Sequence, residues 1–184
     1  MAIAGAAVGA YFFFRRRQTP SIGATAAEKA QPAAQQPQSS ANTQNTTDMN
    51  NNSLPRGYRN NNPLNIRISS SAWKGKVSPN TDGAFEQFVT MAYGFRAAFV
   101  LIRTYINKYG CDTIRKIISR WAPSSENNTS QYISHVAQWS GINADTVISP
   151  ADKSTLVKIV YAMAKVENGY YPSMSDIEQG WNLI

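Results

Sequence analysis

Every tryptophan of this 184-residue chain lies after residue 53, and before it the large apolar side chains are gathered almost entirely in residues 2–14. That distribution allows one hydrophobic core, and it confines the core to residues 54–184. The preceding stretch, residues 18–53, is built from Ala, Gln, Asn, Ser, Thr and Pro apart from Ile22, Gly23, Glu28, Lys29, Asp48 and Met49. It lacks aromatic residues, so it has too little to bury to offset the entropy of ordering it. The composition predicts a flexible linker with a mean reach of about 35 Å.

Before the linker, residues 2–14 form an apolar run closed by Arg15, Arg16 and Arg17. As a helix it would measure about 20 Å, short of the roughly 30 Å of a bilayer's hydrocarbon core. The charges follow the apolar run instead of preceding it, which argues against a cleaved secretory signal. The expectation for residues 1–17 is a short hydrophobic helix serving as a membrane anchor with a basic flank. A helix buried in protein is the alternative.

Composition narrows the chemistry. One cysteine, Cys111, and one histidine, His135, exclude an intrachain disulfide, a cysteine-rich metal site and multi-histidine zinc catalysis. A Ser-His or Cys-His nucleophile would have to be built on His135, which sits in a helical pattern between Ser134 and Val136 with no motif around it. If the chain is an enzyme, carboxylates carry the work, and no cofactor is called for. The net charge is +7, of which residues 54–184 contribute +5 from 14 Lys+Arg against 9 Asp+Glu. The basic residues are scattered over many helical phases without a nucleic-acid motif, so no specific nucleic-acid partner is expected. The balance suits anionic glycan or lipid surroundings.

The domain reads as mainly α. Phe95, Phe99, Ile102, Tyr105, Ile106 and Tyr109 mark one face of a helix over 93–109 that stops at Gly110. Ile114, Ile117, Ile118 and Trp121 mark a second over 112–121. A third opens at Asn128 or Thr129 and closes at Gly141. Ser149, Pro150 and Asp152 suggest the start of a fourth that runs to Glu167, and Ser175 with Glu178 suggests a capping box for a last short helix. Residues 54–88, rich in Asn, Ser, Gly and Pro, predict loops with one small β-hairpin.

Glu167 is the most informative residue. The apolar stripe Leu156, Ile159, Val160 and Met163, extended by four, lands on it. A carboxylate on that buried face, at the negative pole of the helix dipole, should keep its proton nearer neutrality than an ordinary Glu. Such an acid suits protonation of a glycosidic oxygen. The same pattern also admits an acid at a fraying helix end, turned to solvent. A second cluster, Arg59-Asn60-Asn61-Asn62-Pro63-Leu64-Asn65-Ile66-Arg67, offers amides suited to sugar hydroxyls and acetamido groups, and is equally a turn. Tyr58, Trp73, Tyr170 and Tyr171 could stack on sugar faces or fill the core.

The segments NNPLNIR, AWKGK, FEQF and YGFRAAF resemble the stretch that follows the catalytic glutamate in flagellar-type bacterial glucosaminidases, roughly NN-x-F-G-I, a W/G-K segment, an F-R-x-Y strand and a helix. WAPSSENNTSQYISHV is similar to their Y-A-T-D-P-x-Y-A-x-K-V segment, bringing Tyr132 into register with a cleft tyrosine. The helix that should come first is missing, and LVKIVYAMAKVENGYYP at the other end resembles it. The resemblance therefore implies a circularly permuted lysozyme-like domain. Residues 54–181 as a whole also resemble virion-associated transglycosylase-like lytic proteins of phages, which share R-N-N-N-P-x-N-I-R, R-W-A-P-x-S-E-N-N-T and E-N-G.

The resemblance implies catalysis by Glu167, with Tyr132 orienting the substrate; Asn61, Asn62, Tyr58 and Tyr170 are the expected substrate-binding residues from their amide and aromatic chemistry. It also implies peptidoglycan as the target, attacked in the host cell wall by a membrane-associated virion enzyme, with capsid or vertex proteins as further partners. Hydrolysis needs a second carboxylate across the cleft, for which Asp82, Glu86 and Glu126 are the candidates, whereas a lytic transglycosylase can work with one. The alternative is a structural virion protein, without catalysis, linking capsid and membrane.

Overall fold

The computed structural model describes residues 54–184; the expected anchor (1–17) and linker (18–53) lie outside the described residues. The fold is mainly α. Its helices are α1 (Arg56–Arg59), α2 (Met91–Tyr109), α3 (Ile114–Trp121), α4 (Thr129–Ser140), α5 (Lys153–Asn168) and α6 (Met174–Asn182). Between α1 and α2 the described residues form two isolated antiparallel bridges, Arg67 with Phe85 and Lys76 with Phe88, and no longer ladder. The expected hairpin is thus reduced to two contacts, because polar side chains take over the loop's hydrogen bonding.

Each long helix is bounded as its termini require. Thr90, Thr113, Asn128, Asp152 and Ser173 accept a backbone N–H from the first turns of α2 to α6. Two of these starts differ from the sequence reading. Asp152, not Ser149, caps α5, since Ser149 and Pro150 are spent in a turn before it. Ser173 caps α6 with Asp176 in its first turn, so Ser175 lies inside the helix.

Helix α5 is central: Leu156, Val157, Ile159, Val160, Ala162, Met163 and Ala164 are all buried, so apolar contacts surround it instead of following one stripe. Helix α4 packs along it, α3 packs on α4, and α2 pairs most extensively with α6. At the α2–α6 contact Gly180 abuts Phe95 and the Ala92 carbonyl, where a Cβ would collide with backbone. Leu64 and Ile66, both fully buried, pin the asparagine-rich loop into the same core.

Candidate functional site

The last turn of α5 meets the loop before α2, which lies about a hundred residues earlier in the chain. Asn168 donates through Nδ2 to the carbonyl of Pro63 at 2.7 Å and to that of Ala164 at 2.9 Å, tying the helix end to the loop. Gly57 on α1 lies against the Asn168 amide, with no room for a side chain. Gly169, left-handed at φ 68°, stops the helix and accounts for the Asn-Gly pair.

Glu167 stands at this junction, half-buried. Three elements donate to its carboxyl. The Tyr132 hydroxyl on α4 reaches Oε1 at 2.9 Å, and the Trp121 indole N–H at the end of α3 reaches the same oxygen at 3.3 Å. From the loop, Asn65 Nδ2 reaches Oε2 at 3.0 Å. Burial is the largest influence on the acid and outweighs the three hydrogen bonds that favour its charge, so its pKa is pushed up to about 7 from an ordinary 4.5. Tyr132 is itself buried, and burial together with the neighbouring carboxylate raises its hydroxyl well above the usual phenol value. At neutral pH the site holds an acid poised between its two forms beside a tyrosine that stays protonated.

No family model matches the chain. It is 40% identical over 134 residues to Protein P5 of Pseudoalteromonas phage PM2, a match covering 71% of this chain and 82% of that protein. The chain belongs to the Protein P5 family. It is therefore a member of a phage protein family, and the chemistry of the Glu167 site must be argued on its own geometry.

The other candidate carboxylates in this Protein P5 relative are engaged elsewhere. Glu86 is fully buried, pairs with Lys76 at 2.9 Å and accepts from the Ser69 backbone at 2.9 Å. Such a pair closes the loop and leaves no carboxylate free for a substrate. Glu126, partly exposed, lies 3.6 Å from Arg67. For Asp82, burial works upward, but the forked bond from Arg56 and donors from Asn60, Phe85 and Ala84 hold it well below the usual carboxylate range.

The asparagine cluster divides by role. Asn62 is fully buried, donates to the carbonyls of Ile66 and Glu86 and accepts from the Ile66 N–H, so its amide is spent on loop backbone and is closed to a ligand. Asn61 donates to the Phe88 carbonyl at 3.0 Å. Asn65, which the sequence reading did not separate from its neighbours, is the member that touches Glu167. Trp121 was legible only as an apolar stripe residue, although its indole N–H needed a partner once buried.

Tyr58 and Tyr170 pack at 5.6 Å between ring centroids, and the Tyr58 hydroxyl donates to the Tyr171 carbonyl. Beside them Lys165 lies over the rings of both Trp139 (4.2 Å) and Tyr171 (4.4 Å), while His135 stacks on Trp139. The helical histidine is thus a stacking partner on the surface of α4. Among the described residues, no three His, Cys, Asp or Glu side chains gather as a metal site would require. An open groove of about 610 Å³ on the outer side of α4, between Arg115, Ile133, Ala137 and Asp145, contains none of the candidate side chains.

Proposed function

We propose that this Protein P5 relative cleaves the glycan strands of bacterial peptidoglycan, with Glu167 as the general acid and, in a second step, the base. The observation that carries the reading is a single partly covered carboxyl, pushed up to about 7, held by Tyr132, Trp121 and Asn65 from three different elements. An acid poised near the working pH is what protonation of a glycosidic oxygen requires. With Glu86 buried against Lys76 and Asp82 clamped by Arg56, the arrangement favours the one-carboxylate route of a lytic transglycosylase over two-carboxylate hydrolysis. In that route the substrate's own 6-hydroxyl closes onto the anomeric carbon as the bridging oxygen takes the Glu167 proton. The carboxylate left behind then accepts the hydroxyl proton.

Tyr132, held on Oε1, is in place to keep the acid oriented, and Tyr170, about half exposed, offers an aromatic face to a sugar ring. In the same reading the apolar run 2–14 and its arginines attach the enzyme to a membrane.

The test is to digest purified sacculi with the full chain and weigh the released fragments. Products ending in 1,6-anhydro sugars, absent with Glu167→Gln, are expected. Products with reducing ends that also disappear with Glu126→Gln would replace the transglycosylase route by hydrolysis with Glu126 as partner. Binding to sacculi without release of fragments would leave the structural role.

A further inference from the structure

The two oxygens of Glu167 are not equivalent. Oε1 accepts from both Tyr132 and Trp121, which occupies the two lone-pair directions of a carboxyl oxygen. A proton on this acid therefore belongs on Oε2, which receives the Asn65 amide at 3.0 Å.

Asn65 is set in place by its backbone. It adopts a left-handed conformation, φ 48°, between the fully buried Leu64 and Ile66, and its N–H donates to the Asn62 carbonyl at 3.0 Å. Its side chain does nothing comparable for the loop: Nδ2 goes to Glu167, and Oδ1 is buried without a hydrogen-bond partner. A buried acceptor left unpaired is a cost that folded proteins seldom accept without a functional reason.

We infer that Asn65 is a positioning residue for the acid, holding the oxygen that carries and releases the proton and stabilising the charge that appears there as the proton leaves. The inference rests on the reading of Glu167 as the glycan-cleaving acid. A protonated carboxyl oxygen is a weak acceptor and an ionised one a strong acceptor, so the Asn65 bond tightens as transfer proceeds. The surroundings leave this role to a neutral amide. Helix α4 supplies Tyr132 and α3 the uncharged Trp121. Of the charged neighbours in sequence, Lys165 on α5 lies over Trp139 and Tyr171, and Arg67 on the loop faces Glu126.

Two variants keep the backbone. Glycine adopts the left-handed conformation freely, and aspartate tolerates it as asparagine does. In the full chain with ¹³C-labelled glutamate carboxyls, the Glu167 resonance, assigned by its loss in Glu167→Gln, reports ionisation directly. Asn65→Gly should raise its midpoint by about one pH unit, the scale of one lost hydrogen bond to a charged group. Asn65→Asp, which sets a second carboxylate beside Oε2, should raise it further. In sacculus digestion both variants should lower the maximal rate with little change in KM and move the basic limb to higher pH. Unchanged midpoints in both variants would overturn the assignment. The titration is read without glycan, so it stands or falls separately from the cleavage reading, which fails if the native chain releases no fragments.

Discussion

At the scale of single residues, burial of one carboxyl sets the chemistry of the site. An acid whose pKa is about 7 in the fold and about 4.5 when unfolded binds its proton more tightly in the native state. The contribution of Glu167 to stability is therefore fully present below about 4.5, is lost as the pH rises through the interval to about 7, and is level above it. At about 1.4 kcal/mol per pH unit the loss is at most on the order of 3 kcal/mol. Glu167→Gln removes that dependence, so denaturant midpoints should show the variant gaining on the native chain as pH rises across this window. Tyr132→Phe removes a donor to Oε1 that favours the ionised form, so it should raise the Glu167 midpoint and slow cleavage roughly tenfold to a hundredfold, below the usual range for a general acid itself. Glu167 was legible in the sequence because a charge interrupts an apolar stripe. Asn65 was not, because an amide a few residues after Asn60, Asn61 and Asn62 carries no periodicity to set it apart.

At the scale of elements, the site depends on how the loop before α2 is seated. Asn62 supplies three buried hydrogen bonds to loop backbone, and Asn62→Ala strands all three partners. A loss of about 2–4 kcal/mol in chemical unfolding is expected. Gly94 on α2 lets the Asn61 carbonyl and the Pro63 ring lie flush against the helix. Gly94→Ala meets both and should cost about 1–3 kcal/mol while shifting the Glu167 titration, because the same loop carries Asn65. The helices were readable from their spacing, since the stripes of α2 and α3 follow the helical period. Their starts were less so: Ser149 and Ser175 are as good caps in principle as Asp152 and Ser173, and the choice is made by tertiary packing. The expected hairpin rested on the alternation around Ala84 to Val89, but the inward-facing Glu86 pairs with Lys76, and the ladder stops at single bridges.

At the scale of the whole molecule, residues far apart in the chain make the site: the loop at 60–67, the end of α3, the start of α4 and the end of α5. Sequence could propose that the end of α5 lies beside the asparagine loop only by resemblance, because no local pattern encodes a contact across a hundred residues. The coordinates supply it through Asn168 and Asn65. Outside the folded domain, the anchor reading predicts that the full chain floats with anionic vesicles in a density gradient, and that replacing Phe12, Phe13 and Phe14 together by serine leaves it at the bottom. The most direct test of the central claim is the pH dependence of sacculus digestion by the full chain. Fragment release should fall as pH rises through about 7, following the ionisation of Glu167. A fall centred near 4.5, the ordinary value for a glutamate, would contradict the account.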